Sequence, residues 1–298
     1  MQYLNAFTFP NASDEEDYLL NFPYQQEMGC YSHTNVYPFK LLPEKGLRRL
    51  EFAPITILYG GNGSGKSTVL NIIAEKLRLH RSAPFNNTPY FKDYLNRCRY
   101  DLPIGRRLPP ASEILTSDGV FDFLLDLRAI NEGVDRRREE LFREYEATRN
   151  VYGTNDGFQM RSLADYDELK RRNEIRHGTK SSYVSKRLPK ETDGRSNGES
   201  AYVYFTQKIR ENALYLLDEP ENSLSAGLQR ELAQFLTDSV RFYGCQFIIS
   251  THSPFLLSMR GAKIYDLDTR PVSERSWTEL EHVREYYELF RAHAKEFE

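Results

Sequence analysis

Cysteine is scarce in this chain of 298 residues, represented by Cys30, Cys98 and Cys245. Three scattered thiols exclude a disulfide scaffold and a CxxC metal site. Six dispersed histidines form no ligand cluster by spacing, and there is no HExxH. No run approaches the ~18 uninterrupted apolar residues that a membrane-spanning helix needs. The opening stretch, MQYLNAFTFPNASDEED, has neither a basic start nor an apolar core, so nothing in it points to secretion. An excess of one charge is missing too, since 40 Lys+Arg against 43 Asp+Glu leave a formal net charge of -3. Global charge therefore neither demands nor excludes nucleic acid as a partner. What remains is 40% hydrophobic and 28% charged residues with a mean hydropathy of -0.64. That composition reads as a soluble, reduced, cytoplasmic globular protein of one large domain or two small ones.

Residues 54–59, PITILY, are a short β-branched run that stops at Gly60-Gly61, the pattern of a buried strand. A helix is expected from Ser67, with Val69, Leu70, Ile72, Ile73 and Leu77 on one broad face. The stretch 80–112 is rich in proline and reads as loop. Ser117 or Asp118 can cap a helix carrying Val120, Phe121, Leu124, Leu125 and Leu127. A second, mostly charged helix is expected at 134–149, with no heptad pattern long enough for a coiled coil. Residues 161–190 hold nine Lys/Arg against four acids. The plainer reading of that bias is a solvated basic face, and the sharper one is a patch for nucleic-acid phosphates. Strand–helix alternation then returns, with strands at 214–218, 246–250 and 263–267 and a helix at 226–242. The pattern argues for an α/β sheet whose middle third is a helical insertion, without internal repeats. The segment 276–298 reads as an amphipathic helix, with Val283, Tyr286, Phe290 and Phe297, that packs on the core.

Four motifs carry chemistry. Gly60-Gly61-Asn62-Gly63-Ser64-Gly65-Lys66-Ser67 fits GxxxxGK[ST] between a predicted strand and a predicted helix. Glycines there let backbone N–H groups turn inward around phosphates, and the helix N-terminus adds positive partial charge. Lys66 would reach the β- and γ-phosphates and Ser67 would place its hydroxyl on Mg²⁺, with Thr68 next to it. In Leu214-Tyr215-Leu216-Leu217-Asp218-Glu219, an apolar strand delivers two acids to the edge of the sheet. Asp218 would hold the Mg²⁺ shell, and Glu219 would polarise the attacking water. Ser250-Thr251-His252-Ser253 closes another strand with a histidine that can donate to a γ-phosphate or to that water. Taken alone, Ser196-Asn197-Gly198-Glu199-Ser200 is a plain turn or helix cap.

Together and in this order, these segments resemble the ATP-binding-cassette (ABC) ATPases, and more closely the branch of RecF and SMC heads and the AAA_21-type bacterial ATPases. The likeness is close over 45–79 and 195–267, and looser through 117–145. It implies an α/β P-loop NTPase fold, an ABC-ATPase head with a helical insertion between Walker A and the signature motif. On that reading residues 1–298 are a single ATPase domain. Residues 1–110 form an N-terminal lobe, 111–195 the insertion, and 196–298 the signature, Walker B and switch-histidine lobe with the C-terminal helix. The resemblance also implies a head-to-tail homodimer in which Ser196, Gly198 and Glu199 of one copy cap the ATP held by the other. Residues 221–225 then correspond to the D-loop and His252 to the switch histidine. Asn197 departs from the usual signature residue. No glutamine lies between Gln26 and Gln159, so the usual metal-contacting glutamine is not at its place, and Asp118 is the nearest polar candidate. Tyr37 and Phe39 are candidates to stack on adenine.

The expected activity is Mg²⁺-dependent ATP hydrolysis. Two readings of what it drives stand close together. One is a DNA-linked process (repair, mobile-element biology or phage defence) with the 161–190 arm as the DNA contact. The other is an ATP-loaded regulatory switch that recruits a protein effector with little turnover. A transporter subunit is the least favoured, because the insertion and the DEPEN continuation argue against it.

Overall fold

The structure is a computed structural model that describes residues 2–20, 36–152 and 196–297. The basic segment 161–190 and Cys30 lie outside the described residues. Two units are distinguished along the chain, residues 1–122 together with 196–298, and residues 123–195.

The first unit begins with a three-stranded antiparallel sheet. Strand β1 (Ala6–Thr8) runs between β2 (Arg49–Glu51) and β5 (Arg99–Asp101), with Phe7 opposite both Leu50 and Tyr100. Helix α1 (Ala12–Leu20) follows β1 and buries Glu15, whose carboxylate accepts from the Lys40 amide at 2.5 Å. Burial outweighs that bond and pushes the Glu15 carboxyl up to about 7.

The centre of the larger sheet is built from short apolar strands that have no solvent-facing side. Strand β3 (Ile55–Tyr59) is buried along its length, as a strand covered on both faces must be. Helix α2 (Lys66–Leu77) leaves its end and buries the predicted apolar face. The proline-rich stretch 80–112 is more ordered than its composition suggests, with β4 (His80–Arg81), α3 (Phe91–Arg97) and β5. Phe91 and Tyr94 drive α3 into the core, a packing signal that proline counts do not register. Strand β6 (Glu113–Thr116) was likewise not read from the sequence, because four residues are too few to show a period.

Helix α4 (Ser117–Tyr152) is continuous and merges the two predicted helices. Its cap is neither Ser117 nor Asp118, since the Thr116 hydroxyl accepts from the Gly119 amide at 3.3 Å. Then come α5 (Asn197–Lys208), β7 (Leu214–Asp218), α6 (Ala226–Phe242), β8 (Gln246–Ser250) and the single turn α7 (Pro254–Leu257). Strands β9 (Lys263–Asp266) and β10 (Ser273–Glu274) complete a seven-stranded sheet of order β10-β9-β3-β8-β7-β6-β4. Every neighbouring pair is parallel except β10 with β9.

Gln246, fully buried at the start of β8, ties the two sheets together. Its Oε1 accepts from the amides of Tyr3 (2.7 Å) and Leu4 (2.9 Å), and its Nε2 donates to the carbonyls of Leu4 (2.9 Å) and Ala53 (3.2 Å). The last helix, α8 (Glu281–Ala292), meets the expectation of packing on the core only in its first turn. Val283 is buried there, whereas Tyr286, Tyr287, Leu289 and Phe290 are exposed. Among the described residues no helix is long and apolar enough to cross a membrane.

Candidate functional site

The sheet order decides which chemistry-bearing residues meet. Strand β8 lies between β3 and β7, with Ser250 in register with Leu58 on one side and Asp218 on the other. The C-terminal ends of three parallel strands thus bring the loop 60–67, the acids 218–219 and the histidine turn 250–253 to one edge. Such an edge is where open α/β sheets bind ligands.

The loop itself is shaped by close approach. A Cβ on Gly60 would lie 2.6 Å from the Ser64 hydroxyl, so the turn closes only around glycine. Lys66, the first residue of α2 and 4% exposed, donates to the carbonyls of Gly60 (2.6 Å) and Gly61 (3.1 Å). Its ammonium lies 3.6 Å from Glu219 Oε1. The Ser64 Oγ is buried without a hydrogen-bond partner among the described residues. A buried cation whose hydrogen bonds go to loop carbonyls, and a buried hydroxyl without a partner among the described residues, suit an anion placed in the loop. Thr68 accepts from the Tyr37 hydroxyl at 3.1 Å, which fixes the 36–41 segment against α2. Phe39 is buried in an aromatic cluster with Tyr18 and Tyr94, so it is not available as a platform for adenine.

Ser67 donates to Asp218 Oδ1 at 3.1 Å, and Ser250 donates to the same oxygen. Burial raises the Asp218 carboxyl above its ordinary range, and these two hydroxyls partly counter it. A hydroxyl and a carboxylate this close are hard oxygen donors that fit Mg²⁺, an ion that takes few protein ligands and shares phosphate oxygens. No group of three or more His, Cys, Asp and Glu among the described residues could hold a metal by itself. Asp118 is exposed two residues beyond Thr116, which is in register with Asp218.

Glu219 adopts a left-handed backbone, with φ 48°. That conformation is costly for a residue bearing a Cβ, and such strain gathers at functional sites. The Glu219 amide donates to the Ser250 carbonyl at 3.0 Å, and Asn222 Nδ2 donates to its Oε2 at 3.1 Å. The carboxylate is therefore aimed by its neighbours on β8 and by the following turn, with Lys66 beside it.

His252 is held from a direction that motif reading does not anticipate. Its amide donates to Glu221 Oε1 at 2.9 Å, and its Nδ1 lies 3.5 Å from the same oxygen. Glu221, the first residue of the stretch 221–225 that the resemblance equates with the D-loop, is buried. Asp268 was also missed. Its Oδ2 accepts from the Gly61 amide at 2.7 Å, which pins the mouth of the phosphate loop to the end of β9. An acid directly after a predicted strand was the available signal. Next to these groups opens a cavity of about 430 Å³, lined by Gly60, Gly61, Asn62, His252, Asp268 and His282 among others.

Ser196 is the N-cap of α5. Its Oγ accepts from the Glu199 amide at 3.3 Å, and Glu199 Oε2 accepts from the Ser196 amide at 2.8 Å. Gly198 allows close packing, since a Cβ there would come 3.0 Å from the Ser223 carbonyl.

Residues 196–258 match the family described as "AAA domain, putative AbiEii toxin, Type IV TA system". No match is found among curated proteins. Solved structures with similarity include the SMC head domain bound to the C-terminal domain of ScpA from Pyrococcus furiosus. That likeness has 15% identity and a TM-score of 0.36, covering 82% of this chain and 95% of that one. The SMC head domain from Thermotoga maritima matches at 14% identity and a TM-score of 0.36, covering 78% and 94%. A dimeric ATP-binding cassette in a post-hydrolysis state with ADP and Pi matches at 15% and 0.36, covering 78% and 90%. At such scores these likenesses decide nothing about the present chain. The family match spans the signature helix through the histidine turn, and the parallel sheet sets the phosphate loop of the first half against that same span. The fold is that of an α/β P-loop ATPase, with the AAA-domain match confined to its second half.

Proposed function

We propose that this ATPase works as an ATP-sandwiched homodimer with Mg²⁺ and that its cycle gates a DNA-linked process. The observation that carries the hydrolytic part is the convergence on one strand edge of Lys66, Ser67, Asp218, Glu219 and His252, with Ser67 already 3.1 Å from Asp218. ATP would be cradled by residues 60–68, and Mg²⁺ would be held by Ser67 and Asp218, supplying charge neutralisation at the phosphates. Glu219 orients and deprotonates the attacking water, and His252 helps to hold that water with its ring nitrogen. Ser196, Gly198 and Glu199 at the head of α5 would close the partner's site, and Asp118 would serve as an outer metal contact. Two γ-phosphates at a shared interface would favour the closed dimer, and hydrolysis would remove that preference.

The DNA reading is supported by the basic bias of 161–190, nine Lys/Arg against four acids. The second reading, an ATP-loaded switch for a protein effector, is favoured by the matching family's description, which includes a toxin and a Type IV TA system. Steady-state ATP hydrolysis with Mg²⁺, with and without linear duplex DNA at low salt, separates them. Glu219→Gln serves as the background and is expected to lower turnover on the order of 10²-fold or more while ATP still binds. DNA stimulation that salt reverses supports the DNA reading, because neutralised phosphates release counterions. Measurable turnover indifferent to DNA moves the driven partner to protein. Equal rates in wild type and Glu219→Gln would refute the hydrolytic assignment.

A further inference from the structure

Glu221 is a carboxylate 5% exposed, in a turn two residues past the proposed catalytic glutamate. Burying an ionised group is costly unless its partners are good. Its Oε1 accepts from the Thr251 hydroxyl at 2.6 Å and from the His252 amide at 2.9 Å, with His252 Nδ1 at 3.5 Å. Its Oε2 is buried without a partner among the described residues. One oxygen thus gathers three groups of the histidine turn while the other goes unused. A residue selected only to hold the turn together would not need a charge for it.

On the opposite side the His252 ring meets the C-terminal helix. Its centroid is 6.2 Å from that of His282, edge to face, and His282 stands edge to face with Tyr286 at 4.7 Å. The His282 amide donates to the Tyr59 hydroxyl at 3.3 Å, and Tyr59 is the last residue of β3 before the phosphate loop. His252 therefore stands between a buried acid from the turn after β7 and a ring anchored to the strand that feeds the loop.

We infer that Glu221 is a positioning residue that sets the tautomer of His252. A carboxylate facing Nδ1 keeps the proton on that nitrogen, as the orienting acid does for metal-bound and catalytic histidines. Nε2 is then left as an acceptor, on a ring that lines the cavity beside Gly60, Gly61 and Asn62, and would take a hydrogen bond from the attacking water. His282 closes the far side and keeps the ring from turning away. The tautomer claim stands on this chain alone, and its consequence for turnover rests on the ATPase reading above.

The experiment is ¹⁵N-detected NMR of the imidazole nitrogens in the free protein, with the His252 signals assigned by their loss in His252→Gln. Wild type is expected to show the Nδ1–H form. In Glu221→Ala the signals should move toward the Nε2–H form, and in Glu221→Gln, whose amide oxygen still accepts, they should stay with Nδ1–H. Turnover should fall about tenfold or more in Glu221→Ala, with KM for ATP within about twofold, and should recover in part in Glu221→Gln, the split expected when a group acts only in the transition state. If Glu221→Ala does not fold, Glu221→Gln and His282→Ala carry the test, the latter loosening the ring without touching the acid. An unchanged tautomer in Glu221→Ala, or an Nε2–H form in wild type, overturns the inference even if hydrolysis is robust. A tautomer shift without any measurable hydrolysis would leave Glu221 in place and refute the ATPase mechanism instead.

Discussion

The two ends of β8 are five residues of one strand, and they solve the burial of polar groups in opposite ways. At the first end Gln246 makes four hydrogen bonds, two accepted and two donated, to the backbone of Tyr3, Leu4 and Ala53. Every capacity of the amide is used there, and two sheets are joined as a result. At the last end Ser250, Thr251 and His252 face a different kind of neighbourhood. Ser64 Oγ and Glu221 Oε2 are buried and unpaired among the described residues, and Glu219 is held at φ 48°. Unpaired groups and strain cost stability, and they persist where the surrounding structure over-determines them. The difference separates the end built for stability from the end built for a ligand.

Lys66→Ala should break the ligand end most severely. Removing the only side-chain cation that lies inside the loop is expected to lower ATP affinity on the order of 10²-fold or more by calorimetry, in line with the loss of a charged phosphate contact. The same change should leave the thermal midpoint nearly unaltered, because the partners of Lys66 are two carbonyls of its own loop and the partly exposed Glu219. Unchanged affinity would show that the loop does not hold the phosphates.

Gln246→Leu is the mirror experiment at the other end. The substitution keeps the volume roughly but leaves the amides of Tyr3 and Leu4 and the carbonyl of Ala53 without their buried partner. A loss of about 2–4 kcal/mol in unfolding free energy is expected from several unsatisfied groups. ATP affinity of the folded fraction should be unchanged, since the register places Gln246 at the start of the strand and the site at its end. A fall in affinity as large as that in stability would mean that the two ends are not independent.

Much of this division was legible in the sequence, for reasons that differ by residue. Residues 60–67 announce themselves because glycine, lysine and serine are each required at fixed spacing, and β3, β7 and β8 because buried parallel strands are short apolar runs. Asp218 and His252 follow as strand-terminal polar residues. Glu221 and Asp268 escaped because their importance lies in a partner distant in sequence, 31 residues away for His252 and 207 for Gly61. Strand β6 escaped because tertiary pairing with β7, rather than any periodic pattern, makes it a strand. The apolar stripe of α8 was read correctly as a stripe, but a period says nothing about what covers it, and past Val283 its large apolar residues are exposed.

The smallest expected effect is the most discriminating for the signature motif. Ser196 caps α5, and the bond to the Glu199 amide together with the return bond from Glu199 satisfies two helix-end donors. Ser196→Ala should therefore cost about 1 kcal/mol in stability whatever else the residue does. Ser196→Asn keeps the cap and removes the hydroxyl, so it should restore that stability. If capping is the whole of its role, turnover per folded molecule should be near wild type in both variants. If the hydroxyl reaches the γ-phosphate held by a second copy, both variants should lose turnover while only Ser196→Ala loses stability. Activity tracking stability across the pair would return Ser196 to the structural side of the comparison and leave the dimer without its trans contact at this position.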